Sequence, residues 1–295
     1  MINTSKKVDG IHTLVNVITF FTLQKVKKAL TSSCYSNQLV MPYVFTVGND
    51  TGGATKTTCV IELGVALALK GKKVCLIGLD ENSELSEYLG IDVDQLDTSS
   101  SMIFLEENPK DLARRLPKEK TGVEQLWIIP SAPDLIEVIR RKSREHQEKL
   151  LRNYIDNHLN EFDIVLIDTP AGLNMLKLNG VYAADFIIIP TRYDGKTTRA
   201  ITRFTSHIEA VKGTEFNNYG ILISAVDLRK KRNIEKTKTL LEEYSDKNLV
   251  FTTKIPTDAD IEAAQSEHKT SHVFNIHSKA GKAYSQLAEE ILCYF

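Results

Sequence analysis

Three segments of the chain carry residues suited to holding a phosphate. The first, GNDTGGATKTT (Gly48–Thr58), follows the apolar run VFTVGN and opens onto a helical pattern. Glycines there let backbone N–H groups converge on phosphate oxygens, and the positive end of the helix dipole adds to the attraction. A lysine at the end of such a loop neutralises β- and γ-phosphate charge, and the next hydroxyl binds Mg2+. Lys56, Thr57 and Thr58 occupy those places, behind a cradle of Gly52, Gly53, Ala54 and Thr55. The standard G-x4-GK[ST] pattern is not met, because Asp50 and Thr55 stand where its two glycines would be. The second segment, FDIVLIDTPAG (Phe162–Gly172), ends an apolar run on Asp168. That puts a carboxylate at the C-terminal edge of a sheet, where open α/β folds bind ligands. The third, KVCLIGLDEN, ends its run just before Asp80. An aspartate there is otherwise an ordinary turn or helix N-cap residue.

For these residues to meet, the elements carrying them must alternate. Apolar, strand-like runs lie at Val44–Asn49, Lys73–Leu79, Leu126–Pro130, Asp163–Asp168, Phe186–Pro190, Tyr219–Val226 and Val250–Pro256. Helical patterns separate them at Lys56–Lys70, Leu135–Arg140, Glu145–Leu159, Thr198–Val211 and Ile234–Tyr244. A last helix is marked by Ala280, Ala283, Tyr284, Leu287, Ala288, Ile291 and Leu292 at helical spacing. Near-continuously apolar strands divided by helices mean an α/β fold, a mostly parallel central sheet with helices on both faces. Residues 83–120 read as short helical pieces with no clear strand.

Composition narrows the function classes. The 295 residues are 42% hydrophobic and 25% charged, with 15 Gly and 8 Pro, which is ordinary globular usage. Net charge is −1, so no global positive field draws the chain to nucleic acid, and any such contact needs a local patch. Cys34, Cys59, Cys75 and Cys293 form no CxxC pair, and Cys59 and Cys75 sit in apolar segments, which reads as reduced, buried thiols in a cytosolic protein. No apolar run reaches membrane-spanning length. Ile11–Leu23 is interrupted by His12, Thr13, Asn16, Thr19 and Thr22, and Lys25, Lys27 and Lys28 follow instead of a small-residue cleavage site. Residues 1–40 therefore read as an extension and linker ahead of a main domain over 41–295.

The run NDTGGATKTTCVIELGVALALKGKKVCLIGLDEN resembles the start of the ParA/MinD family of deviant Walker ATPases, whose signature is KGGxGKTT, then a helix, then a strand ending in DxD. The resemblance continues through FDIVLIDTPAG, AADFIIIPT (Ala183–Thr191), the IP and following loop at Ile255–Asp260, and KAGKAYSQLAEEIL (Lys279–Leu292). It implies a three-layer P-loop NTPase fold, ATP and Mg2+ as cofactors, and ATP hydrolysis. It assigns Lys56 to the phosphates, Thr57 and Asp168 to Mg2+, Thr58 to the α-phosphate, and Asp80 to the attacking water. Pro256 and Thr257 fall on the nucleotide-side loop, and Thr169–Gly172 look like a γ-phosphate switch.

The departures are informative. The family's signature lysine, which reaches across a dimer to the partner's nucleotide, aligns with Thr51; Thr55 replaces a loop glycine; Gly78 replaces the first Asp of DxD. Carboxysome-positioning McdA-like proteins lack that lysine and supply one from later in the chain, and this sequence looks similar to them. Lys196 in YDGKTT is the candidate substitute, with Lys177 and Arg192 as rivals. ParA-like relatives imply an ATP-dependent homodimer, non-specific DNA as a partner, a small adaptor that stimulates hydrolysis, and a cytoplasmic, nucleoid-associated location. The local basic run is Arg229, Lys230, Lys231 and Arg232, which is otherwise a solvated loop. IPTDAD lacks a further basic residue at Thr257 and Asp258, and Cys293, Tyr294 and Phe295 directly after the last helix offer no basic membrane-binding helix. Three functions remain open: a partition or positioning ATPase acting on a carboxysome or plasmid, a MinD-like membrane-associated regulator, and a nucleotide-binding protein without turnover.

Overall fold

The computed structural model describes residues 41–53, 55–105, 109–141, 146–192, 197–227, 235, 239 and 250–293. The expectations for residues 1–40, Ala54, Lys196 and Arg229–Arg232, and for most of the helix at 234–244, lie outside those residues.

Strands β1 (Tyr43–Val47), β2 (Val74–Gly78), β3 (Arg114–Arg115), β4 (Leu126–Ile129), β5 (Ile164–Asp168), β6 (Phe186–Thr191) and β7 (Tyr219–Ile223) make a seven-stranded sheet in the order β3-β4-β2-β5-β1-β6-β7. Every pairing is parallel except β3 with β4. β2 and β5 are buried along their whole length, as strands covered on both faces must be, which explains their unbroken apolar sequences. The β1–β5 register pairs Val47 with Asp168, and the β2–β5 register pairs Gly78 with Asp168, so three strand ends finish level.

Helix α1 (Lys56–Leu69) crosses one face. Its Gly64 faces Leu76, Leu126 and Leu166, and α10 (Lys279–Leu292) packs on its far side. The other face buries Val44, Cys75, Ile77, Val165 and Ile167 against α4 (Leu135–Arg141), α5 (Leu150–His158) and α6 (Met175–Ala183). Beside them α7 (Thr197–Lys212) sets Ile201, Phe204 and Ile208 against Ile187, Ile189, Ile221 and Ile223. Cys59 and Cys75 are free, fully buried thiols, and burial pushes both well above the usual thiol range.

The structure corrects the sequence reading in three places. Arg114–Arg115 is a strand, although its region showed no strand signal; two charged residues suffice because this is an antiparallel edge. Val250–Pro256 is not a strand: only Val250 and Pro256 make isolated bridges, to Ile221 and Val226. Helix α6, not anticipated, carries Lys177 and Asn179 fully buried among its apolar residues, which masked its periodicity.

Candidate nucleotide site

The chain leaves β1 at Val47 and turns through residues 48–55 into α1. Gly53 (φ 67°) and Thr55 (φ 62°) both adopt left-handed backbone. Glycine does this freely, whereas a β-branched threonine there stores on the order of 1–3 kcal/mol of strain. Thr55 is held by a 2.6 Å hydrogen bond between its Oγ1 and the Oγ of buried Ser224, just past β7. The substitution at the glycine position thus keeps the glycine backbone. The N-cap residue Thr55 makes no side-chain cap to α1, and the first turn of α1 has no acidic residue, so the positive end of the helix faces the loop.

Lys56 and Thr57 open α1 and are buried. Lys56 Nζ reaches back to the Thr51 carbonyl at 3.4 Å. Thr57 Oγ1 donates to Asp168 Oδ2 at 2.8 Å and lies 3.4 Å from Glu84 Oε2, in helix α2 (Glu84–Tyr88). Asp168 is fully buried, and its Oδ1 has no hydrogen-bond partner among the described residues. Burial raises its carboxyl to about 7; Thr57 and Lys56 pull it down, and the charges of Asp80 and Glu84 push it up. A buried carboxylate with an open lone pair, bonded to a threonine hydroxyl, is an all-oxygen donor set that suits a hard divalent cation.

Asp80 sits beside it, because Leu79 N donates to the Asp168 carbonyl at 2.9 Å. It is buried, and its Oδ1 accepts from Asn82 N and Nδ2, both at 3.0 Å. It therefore also closes a turn, the plainer role read from the sequence. A Cβ added at Gly78 would lie 2.8 Å from Ser131 Oγ and 3.0 Å from the Ser131 backbone nitrogen, so the first Asp of DxD has no room here. Thr169 Oγ1 donates to Val47 O at 2.8 Å, tying the start of the 169–174 loop to β1, while Leu173 is 54% exposed.

Thr257 N donates to Val226 O at 3.1 Å, and Val226 bridges Pro256, so the expected base-side residues follow the same sheet edge that supplies Ser224. Thr58 is half-buried on α1 and Gly52 is exposed in the loop. Of the two lysines weighed as substitutes at Thr51, Lys177 is fully buried with its Nζ 3.0 Å from both Asn49 O and Asp50 Oδ1. Sequence reasoning did not identify Glu84, Ser131 or the Asp50–Lys177 pair. A lysine inside the apolar run MLKLNG was the available signal for the last.

The profile of the AAA domain family matches residues 43–223, more than half of the chain. The chromosome partitioning protein ParA of Caulobacter vibrioides is 29% identical over 258 residues, covering 84% of this chain and 93% of that protein. Cobyrinic acid a,c-diamide synthase of Mycobacterium smegmatis, solved with a bound ATP analog and magnesium, is 27% identical with a TM-score of 0.70, covering 85% and 94%. Apo McdA of Cyanothece aligns at TM-score 0.72 over 85% and 99% of the two chains, at 18% identity, a likeness of fold alone. The chain belongs to the AAA domain family and, within it, to the ParA/MinD-type proteins with the P-loop NTPase fold.

Proposed function

We propose that this chain is a partition or positioning ATPase that binds ATP with Mg2+, dimerises around it, and hydrolyses it to ADP and phosphate. One observation carries the reading. The Thr57–Asp168 pair, with Asp168 Oδ1 unpartnered among the described residues, stands where the start of α1 meets the level ends of β1, β2 and β5. A triphosphate fits such a place, with loop N–H groups around it and Lys56 against its terminal oxygens. Thr57 and Asp168 would hold Mg2+, which supplies neutralisation of phosphate charge when bound. Asp80, beside them, orients the attacking water and accepts its proton at the carboxylate. Pro256 and Thr257 border the base.

The partition relatives support the finer reading: a nucleotide-dependent dimer on DNA, contacted through Arg229–Arg232, moving a plasmid, chromosome or carboxysome cargo under an adaptor's control. In it, Lys196 reaches the partner's nucleotide. The test is a titration of the full chain with Mg-ATP and a steady-state phosphate-release assay, run beside Asp80→Ala. Binding with turnover that Asp80→Ala removes supports the reading; equal turnover in both proteins takes Asp80 out of the mechanism. ATP-dependent retention on non-specific duplex DNA, lost on raising salt, tests the surface.

A further inference from the structure

Beside the Thr57–Asp168 pair stands a carboxylate that the roles above do not use. Glu84 opens α2, and its Oε2 lies 3.4 Å from Thr57 Oγ1. The same hydroxyl donates to Asp168 Oδ2 at 2.8 Å. A threonine hydroxyl carries a single proton. With that proton on the shorter bond, Glu84 Oε2 faces an oxygen that has nothing left to donate. Asp168 Oδ1, on a fully buried side chain, has no hydrogen-bond partner among the described residues either. Neither carboxylate has an ion-pair partner among those residues. The end of β5, the start of α1 and the start of α2 thus bring together more acceptors than donors.

Glu84 is placed there by the seating of α2. Ser86 and Tyr88 are buried; Ser86 Oγ donates to Ser131 O at 3.2 Å, and Tyr88 OH donates to Glu62 Oε1 at 3.3 Å. Ser83, buried in left-handed backbone (φ 59°), turns the chain from the Asp80 turn into the helix. Two carboxylates held around one hydroxyl repel each other, and a divalent cation relieves that repulsion. Mg2+ takes one or two carboxylates and keeps several waters. Glu84 is exposed and stands farther from the hydroxyl than Asp168 does, so its reach to a cation runs through one of those waters. β2 offers no alternative, because Gly78, level with Asp168, has no room for a side chain.

We propose that Glu84 is the second carboxylate of this cation site, a positioning residue that holds the cation through water. With Thr57 and Asp168 it draws a divalent cation before any nucleotide arrives. The proposal rests on the reading of Thr57 and Asp168 as the Mg2+ ligands. It adds an order of events, in which the chain presents a partly neutralised edge to the incoming phosphates.

The test titrates the nucleotide-free full chain with Mn2+, which takes the same octahedral all-oxygen sites as Mg2+, and counts free Mn2+ by electron paramagnetic resonance. The wild type is expected to take up Mn2+ that excess Mg2+ displaces, and Asp168→Asn to lose it. Glu84→Gln, a near-isosteric change at an exposed position, is expected to bind Mn2+ about tenfold more weakly, the usual cost of losing an outer partner of a metal. Glu87→Gln removes the same charge from another exposed position of α2 and is expected to stay within about twofold. Equal weakening by both variants, or none by Glu84→Gln, overturns the role of Glu84. A wild type that holds no Mn2+ without nucleotide, or Mn2+ that stays bound in Asp168→Asn, overturns the early cation. A chain that holds Mn2+ through these residues and takes up no Mg-ATP upholds the proposal and overturns the nucleotide reading instead.

Discussion

Two carboxylates are equally buried in this molecule and do opposite things. Glu62, midway along α1, accepts from Ser271 N at 2.9 Å, Ser271 Oγ at 2.5 Å and Tyr88 OH at 3.3 Å. It latches the short helix α9 (Ser271–Phe274) and the end of α2 to the face of α1. Asp168, at the edge of the sheet, accepts from Thr57 on one oxygen, and the other has no hydrogen-bond partner among the described residues. Burial raises both carboxyls. Donors on three sides make the first a closed structural joint. The second keeps an unmet demand that a cation can meet, and it is this mismatch, not burial, that marks a binding site.

The comparison breaks most decisively at Asp168. Its carboxyl stands at about 7 in the folded chain against 3.8 as the ordinary value, so between those values the folded state holds a proton that the unfolded state has released. Stability of the nucleotide-free protein therefore falls as pH rises from 4 to 7 and levels off above, by on the order of 4 kcal/mol from this group. Urea denaturation of Asp168→Asn across that range is expected to lack this decline, and its phosphate release to be lost. Parallel curves for the two proteins would refute the assignment.

Glu62→Ala is the mirror experiment. Removing the acceptor strands the buried Ser271 N–H and hydroxyl, and chemical denaturation is expected to show a loss of about 3 kcal/mol. Nucleotide affinity of the folded fraction stays as in the wild type; a matching drop in affinity would erase the distinction between joint and site. Lys56→Ala reverses the pattern again. Thermal unfolding moves little, while calorimetric titration with Mg-ATP loses about a hundredfold or more in affinity.

The smallest expected effect probes the loop itself. Thr55→Gly releases the left-handed strain but gives up the Ser224 hydrogen bond and adds chain entropy to the unfolded state. The terms nearly cancel, and the net change in unfolding free energy is expected to stay within about 1 kcal/mol. A loss beyond 2 kcal/mol would mean that Ser224 does more than hold the turn.

Much of the architecture was legible because period and chemistry agree. Buried parallel strands such as VCLIG and IVLID have no solvent face and so no polar alternation, and the glycine-rich turn between β1 and α1 announces itself. The candidate site was legible to the extent that its residues flank those elements: Asp168 ends β5, Asp80 follows β2, and Thr57, next to Lys56 at the start of α1, donates to Asp168. What escaped was set by packing between distant segments. A lysine within the apolar run MLKLNG hints at burial, but nothing local names Asp50, 127 positions earlier, as its partner. Nothing near Glu84 says that it stands by Thr57. The two-residue strand at Arg114–Arg115 owes its form to β4 alone.

The contact at Gly78 constrains what the end of β2 can carry. With Ser131 packed where a side chain would stand, a lone change of Gly78 to aspartate meets backbone as well as hydroxyl and damages the fold before it can improve the chemistry. Changing the Ser131 side chain relieves the contact with its hydroxyl but leaves the 3.0 Å approach to its backbone nitrogen. The backbone at Ser131 thus sets how much room any side chain at position 78 could have, beside Asp80 and level with the end of β5.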